Sequence, residues 1–225
     1  MRLFIDSADI VDIQNCVDTG LIDGVTTNPT LIRKAVGDIY DSVTDIYDEL
    51  RSMGLTDISM EVSGTKQEML REALILANRY DDVATIKLPM TRAGLEVCQL
   101  LSKEGIRTNV TLIFNAAQAL LAAKSGATYV SPFVGRIDDQ GYAGLEVVRS
   151  IASLFQVTGM RTQVLAASIR TPHRAVRSYF NGAQVVTMPP KVFWQMYNHV
   201  LTDAGLAIFE QDIKNTLPDK EPSVW

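Results

Sequence analysis

Short apolar runs alternate along this chain with longer segments of helical periodicity. The runs are nearly continuous in apolar character and rich in β-branched residues, which is typical of parallel strands buried on both faces. They predict strands at residues 3–6, 24–28, 58–62, 84–88, 108–112, 129–134, 162–167 and 185–188. The segments between them predict helices at 8–19, 29–36 with 39–53, 66–80, 93–104, 116–125, 144–157, 172–181 and 191–200.

Residues suited to helix ends support this division. Thr65 and Asp38 stand where N-cap residues belong. Glycines follow several helical runs at the position where a left-handed C-cap is favoured, namely Gly20, Gly54, Gly105, Gly126 and Gly182.

Eight strand–helix units in 225 residues predict one closed (β/α)8 TIM barrel of the α/β class. Each unit has about 28 residues, close to the size of a βαβ module. We expect a single domain over 1–225, in which 203–225 form an additional C-terminal helix, at 203–215, and a tail. An open doubly wound sheet is the alternative, although no GxGxxG motif follows the first strand.

Composition narrows the function classes. The chain is 47% hydrophobic and 21% charged, as globular proteins are, and its net charge of −5 argues against binding to nucleic acid or to an anionic membrane. No apolar run approaches the roughly 20 residues of a membrane span. The opening residues lack a signal-peptide pattern, and Cys16 and Cys98 form no disulfide or metal motif. We therefore expect a cytoplasmic protein.

Polar side chains interrupt the apolar runs near the strand ends, where barrel enzymes carry their active sites. Lys87 is the one lysine of eight that lies inside a predicted strand. If it points inward, burial disfavours its ammonium form, and a neutral amine is a nucleophile for carbonyl groups. The alternative is a lysine that pairs with a carboxylate in the barrel core.

Two carboxylates could serve the same cavity. Asp6 ends the first strand, and Glu61 interrupts the third. Together with an amine they would supply the proton transfers of carbinolamine formation, dehydration and C–C cleavage. As alternatives, Asp6 could cap the first helix, and Glu61 could be the ion-pair partner of Lys87.

Arg136, Ser168 and Arg170 follow the sixth and seventh strands, where barrels often bind phosphate. Two guanidinium groups and a hydroxyl would suit a phosphate dianion. The alternative is a pair of rim arginines that bridge to Asp138 or Asp139. His173 and His199 both lie in predicted helices, so we expect neither a metal nor another cofactor.

These segments resemble the transaldolases, in particular the small subfamily that also contains fructose-6-phosphate aldolases. The resemblance covers residues 2 to about 215. It is carried by 4–8 (FIDSA), 24–29 (GVTTNP), 86–91 (IKLPMT), 108–114 (TNVTLIF) with 117–118 (AQ), 131–136 (SPFVGR) and 166–170 (AASIR).

The resemblance implies a role for each matched residue. Lys87 would form a Schiff base with the ketose, Asp6 would take and return the hydroxyl proton during cleavage, and Glu61 and Thr111 would hold a catalytic water. The substrate hydroxyls and the imine would be bound by Asn28, Asn109 and Ser131. The phosphate would be bound by Arg136, Ser168 and Arg170, and Phe133 would line the site.

Two positions separate the branches of this family. By this resemblance, the aldolase branch has glutamine and tyrosine at the positions that match Glu61 and Phe133 of this chain. We therefore expect transfer of a dihydroxyacetone unit from fructose 6-phosphate or sedoheptulose 7-phosphate to erythrose 4-phosphate or glyceraldehyde 3-phosphate, in the pentose phosphate pathway. A fructose-6-phosphate aldolase is the second reading, and a non-catalytic sugar-phosphate-binding barrel the third.

The family resemblance also implies a homo-oligomer, often a decamer of two pentameric rings. The helix at 203–215 would pack on a neighbouring subunit. Sugar phosphates are the other expected partners.

Overall fold

A computed structural model of the chain describes residues 1–36 and 43–216. Eight parallel strands pair in chain order, and the last pairs with the first to close a barrel. They are β1 Arg2–Asp6, β2 Gly24–Thr26, β3 Ile58–Glu61, β4 Ala84–Pro89, β5 Thr108–Ile113, β6 Tyr129–Pro132, β7 Gln163–Ala166 and β8 Val185–Met188. This closure confirms the predicted TIM barrel and rules out the open sheet, in which two edge strands would stay unpaired.

Eleven helices form within the described residues, most of them between consecutive strands. They are α1 Ile10–Val17, α2 Pro29–Val36, α3 Val43–Ser52, α4 Lys66–Arg79, α5 Arg92–Lys103, α6 Ala116–Lys124, α7 Val134–Asp138, α8 Gly144–Thr158, α9 Pro172–Phe180, α10 Pro190–Gln195 and α11 Val200–Thr216.

The structure confirms the predicted cap residues that lie within the described residues. Thr65 forms a capping box with Glu68, in which each side chain accepts a hydrogen bond from the other residue's backbone N–H. All five glycines predicted as C-caps have positive φ, from 72° at Gly20 to 94° at Gly182. The predicted N-cap Asp38 lies outside the described residues.

Strand alternation divides the barrel wall into two layers. On β4, Ile86 and Leu88 are fully buried in the large apolar cluster shared by strands and helices. Lys87, between them, projects to the barrel interior, which holds a smaller apolar cluster that includes Phe4 and Leu165. This alternation directs Lys87 to the interior, the orientation that the sequence left open.

A buried carboxylate fastens the end of the barrel where the strands begin. Asp57 has no solvent exposure and accepts hydrogen bonds from Thr85 Oγ1 at 2.7 Å and Tyr129 OH at 2.8 Å. Arg2 pairs with the same carboxylate at 3.1 Å. The guanidinium of Arg2 compensates the buried charge of Asp57. The three contacts connect Asp57 to β1, β4 and β6, which are distant in the sequence.

Several sequence-based boundaries are wrong, and the strand predicted at 24–28, for example, ends at Thr26. The strand predicted at 129–134 ends at Pro132, and Val134 begins the short helix α7. The helix predicted at 191–200 ends at Gln195, because the N–H groups of the next three residues bond to carbonyls only three positions back. The last helix begins at Val200 instead of 203, and His199 therefore lies between helices.

The helix α11 has no buried residue, and the predicted tail at 217–225 lies outside the described residues. Within 1–36 and 43–216, no helix combines the length and apolar character that a membrane crossing requires.

Candidate active site

One cavity opens at the end of the barrel where the strands terminate. Nine of the eleven predicted site residues line it, namely Asp6, Asn28, Lys87, Asn109, Thr111, Ser131, Phe133, Arg136 and Ser168. Glu61 and Arg170 do not line this cavity, although each contacts a residue near it. The topology explains the convergence, because parallel strands deliver their C-terminal ends to a single rim.

Lys87 lies at the centre of this constellation. Its side chain is 6% exposed, and its Nζ donates to the backbone carbonyl of Thr27 at 2.8 Å. The same nitrogen pairs with Glu61 Oε2 at 2.9 Å. Two acceptors therefore hold the amine in place at the wall of the cavity.

Glu61 is thus the ion-pair partner of Lys87, which is the alternative weighed from the sequence. Its side chain is 15% exposed and lines a second cavity beyond the barrel wall, beside Tyr47 and Glu72. Neither feature prevents a role in proton transfer, since the carboxylate lies within hydrogen-bonding reach of the amine.

Two hydrogen bonds to the Ser59 carbonyl hold Thr27 in position. Its hydroxyl donates to the carbonyl of Ser59 at 2.8 Å, and its N–H bonds to the same carbonyl. The Thr27 carbonyl that receives Lys87 is therefore fixed by β3 and fully buried.

Asp6 faces the cavity and does not cap α1, whose N-cap is Asp9. Its Oδ1 accepts a hydrogen bond from Thr26 Oγ1 at 2.7 Å. Burial raises the pKa of the Asp6 carboxyl, while the positive charge of Lys87 and the hydrogen bond from Thr26 act in the opposite direction. A carboxylate with a raised pKa is suited to accept a proton near neutral pH.

Amide and hydroxyl groups line the wall formed by β5 and β6. Ser131 donates to Asn109 Oδ1 at 2.6 Å, and Asn109 donates to Ser59 Oγ at 3.1 Å. These bonds fix the Asn109 amide for contact with a ligand. The buried Thr111 hydroxyl has no hydrogen-bond partner among the described residues, and such a group calls for one from the cavity.

The backbone distorts next to Thr111. Leu112 has a φ of 61°, and the pairing of β5 with β6 shifts register between Val110 and Ile113. A bulge of this kind re-aims neighbouring side chains and is common beside active sites.

The two predicted phosphate arginines differ in their surroundings. The Arg136 guanidinium lies over the Phe133 ring at 4.7 Å from its centroid, and it forms no ion pair within the described parts of the chain. Arg170 instead makes a two-pronged pair with Asp139, which is the rim arrangement considered from the sequence. Ser168 adopts a left-handed φ of 57° and lines the cavity.

Three contributors to the site were not predicted from the sequence. They are the Thr27 carbonyl, the Ser59 hydroxyl and Thr187, whose hydroxyl lies 2.7 Å from Thr26 Oγ1. Thr187 interrupts an apolar strand as Asp6 does, so the same criterion could have found it. No group of three or more potential metal-ligating side chains occurs in 1–36 and 43–216.

Comparison with known proteins shows the family of this chain. The sequence profile described as Transaldolase/Fructose-6-phosphate aldolase matches residues 3–221. The chain belongs to that family.

Relatives within the transaldolase/fructose-6-phosphate aldolase family are similar over nearly their whole length. A probable transaldolase of Thermoplasma volcanium is 44% identical over 219 residues, which are 97% of this chain and 98% of that protein. A probable transaldolase of Clostridium botulinum is 42% identical, over 98% of this chain and 100% of its own. The range that the family profile matches, 3–221, spans the positions that line the cavity.

Proposed function

We propose that this member of the family is a transaldolase. It transfers a dihydroxyacetone unit from fructose 6-phosphate or sedoheptulose 7-phosphate to erythrose 4-phosphate or glyceraldehyde 3-phosphate, as one step of the pentose phosphate pathway. The observation that carries this proposal is Lys87, an amine with 6% side-chain exposure held by two acceptors at the wall of a polar cavity.

The amine starts the proposed reaction. Nζ of Lys87 gives up a proton to Glu61 and bonds to the ketose carbonyl carbon. The carbonyl oxygen takes up one proton from the nitrogen and one from Glu61 and leaves as water, which produces a protonated imine. Glu61, at 2.9 Å from this nitrogen, exchanges protons during that dehydration. Thr111 offers to the water that carries them a hydroxyl with no partner in 1–36 and 43–216.

The cationic imine then acts as the electron sink for cleavage. Asp6 takes the proton of the C4 hydroxyl while the C3–C4 bond breaks, and the bond's electron pair moves toward the imine nitrogen. An aldose phosphate leaves, and a three-carbon carbanion remains on Lys87. Addition to a second aldose phosphate reverses these movements, and Asp6 returns the proton.

The absence of a hydroxyl on the Phe133 side chain favours transfer over simple aldol cleavage. Phe133 lines the cavity with a ring that carries no hydroxyl, so this position supplies no proton that could release the carbanion early. The relatives described above are named probable transaldolases, which supports the same choice.

The substrate phosphate is proposed to bind between Arg136 and Ser168, which line the cavity. Arg136 is the better candidate for direct contact, because Arg170 is engaged by Asp139 at the rim. Phosphate binding by Arg170 would require exchange of that partner.

Release of glyceraldehyde 3-phosphate from fructose 6-phosphate, measured with and without erythrose 4-phosphate, tests the reaction. We expect steady turnover only when the acceptor is present. Equal turnover without acceptor would identify a fructose-6-phosphate aldolase instead.

Borohydride trapping tests the covalent step in the same preparation. Reduction in the presence of fructose 6-phosphate should add sugar-derived mass to the peptide that contains Lys87. Lys87→Met should lose both the adduct and the activity, whereas Lys66→Met is the control, because Lys66 pairs with Glu96 on the surface. Activity retained by Lys87→Met would rule out the Schiff base.

A further inference from the structure

Two threonines connect Asp6 to the last strand of the barrel. The strand β1 pairs with β2 on one side and with β8 on the other. Thr26 of β2 and Thr187 of β8 are 2% and 1% exposed, and both line the cavity. Their hydroxyl oxygens lie 2.7 Å apart, and Thr26 Oγ1 lies 2.7 Å from Asp6 Oδ1.

The direction of each hydrogen bond follows from counting hydrogens. A hydroxyl has one hydrogen to donate, and an ionised carboxylate can only accept. The Thr26 hydrogen is therefore used on Asp6, and Thr187 must donate to Thr26. The chain runs from Thr187 to Thr26 to Asp6 Oδ1, and no described residue donates a hydrogen bond to the second oxygen, Oδ2.

We infer that Thr26 and Thr187 are positioning residues that fix the Asp6 carboxylate with Oδ2 directed at the substrate hydroxyl. This inference rests on the proposed function, in which Asp6 takes and returns a proton. Neither threonine needs to touch the reacting atoms, because each acts through the carboxylate.

The pKa of Asp6 depends on the charged groups that face it and on the hydrogen bonds that it accepts. Lys87 faces Asp6 from β4 and carries Glu61 as its partner, and Arg136 of α7 lines the same cavity. The strands paired with β1 contribute the uncharged hydroxyls of Thr26 and Thr187. Loss of a donor to the charged carboxylate disfavours ionisation, so the pKa of Asp6 should rise when either hydroxyl is removed.

The test compares the pH dependence of kcat for acceptor-dependent transfer in wild type, Thr26→Val and Thr187→Val. Since cleavage needs ionised Asp6, the acid limb should move to higher pH. Thr26→Val should shift it upward by about one unit and Thr187→Val by roughly half a unit, because a hydrogen bond to a charged group contributes on that order. We expect kcat to fall roughly tenfold in Thr187→Val, with KM little changed.

Two further variants separate positioning from loss of structure. Thr187→Ser keeps the hydroxyl and should restore the wild-type pH profile. Thr85→Val is the matched control, because Thr85 is also a fully buried strand threonine that donates to a buried aspartate, Asp57, at the other end of the barrel. It should lower thermal stability and leave the acid limb in place.

The outcomes are distinguishable. If Thr187→Val has the wild-type acid limb and kcat, or if Thr85→Val shifts the limb equally, the inference is overturned and the transaldolase proposal is unaffected. If the wild-type chain shows no acceptor-dependent transfer, the proposed function fails and the inference fails with it.

Discussion

At the scale of single residues, the site separates the work of its two carboxylates by their surroundings. Glu61 is paired with the amine of Lys87 at 2.9 Å. Asp6 receives a hydroxyl hydrogen bond, and burial raises the pKa of its carboxyl. Two acids with different partners can take different steps of one reaction, Glu61 those at the imine nitrogen and Asp6 those at the substrate hydroxyl.

The residue most directly linked to the choice between transfer and cleavage is Phe133. We expect Phe133→Tyr to raise the rate of fructose 6-phosphate cleavage without acceptor, because the added hydroxyl is a proton donor inside the cavity. The measurement is release of glyceraldehyde 3-phosphate in the absence of erythrose 4-phosphate.

Phe114 provides the control for that substitution. Its ring contacts Phe133 at 5.9 Å between centroids, but it does not line the cavity. Phe114→Tyr should leave acceptor-free cleavage at the wild-type rate. An unchanged rate in Phe133→Tyr would mean that the ring at this position does not control the lifetime of the carbanion.

Sequence alone located the residues whose presence in an apolar strand is costly. Lys87, Asp6 and Glu61 were predictable because a charge inside an apolar run requires a use or a partner. Thr187 also interrupts an apolar strand, but its hydroxyl is a weaker signal than a charge, because threonine is a common strand residue. The engagement of Arg170 was left open, since its partner Asp139 follows a helix that the sequence pattern did not predict.

At the scale of elements, the sequence predicted the strands and the longer helices and missed the short helix α7. The strands and the longer helices have enough residues for periodicity to emerge, and their ends agree with the structure to within a few residues. The helix α7 has five residues, too few for a repeat. The end of α10 has no proline or glycine to mark it, so only the backbone bonding after Gln195 reveals it.

The helix α7 depends on one glycine to approach the loop after β7. A Cβ on Gly135 would lie 2.2 Å from the Ser168 carbonyl oxygen and 2.8 Å from Arg170 Nε. We expect Gly135→Ala to displace this loop and raise the KM for fructose 6-phosphate, by roughly tenfold or more if one charge-assisted phosphate contact is lost.

The matched substitution is Gly205→Ala in α11, where an added Cβ meets nothing within 4 Å. It should leave KM unchanged and stabilise the helix by up to about 1 kcal/mol. Steady-state kinetics and thermal melts on both variants make the comparison. An unchanged KM in Gly135→Ala would show that the loop after β7 does not hold the phosphate.

At the scale of the whole molecule, α11 leaves a large apolar surface in contact with water. Leu206, Ile208 and Phe209 are 55%, 59% and 65% exposed, although the helix is 17 residues long. We propose that this surface is covered by another copy of the chain, in a homo-oligomer that could be the decamer implied by the family resemblance. Exposed apolar surface of this extent usually belongs to an interface.

Light scattering at micromolar concentration measures the assembly. Wild type should have a mass that is a multiple of the single chain, and Ile208→Asp with Phe209→Asp should reduce it. Gln211→Glu, on an exposed polar position of the same helix, should not. A monomeric wild type would contradict the proposal.

The pairing of β1 with β8 also sets the time at which a growing chain can close its barrel. The hydrogen bond between Thr26 and Thr187 joins residues 161 positions apart. At ordinary rates of synthesis, the ribosome adds Thr187 roughly ten to forty seconds after Asp6. A nascent chain that already has Lys87, Asp6 and Glu61 still lacks the strand that closes the barrel around them. The cavity is therefore complete only when translation is nearly finished.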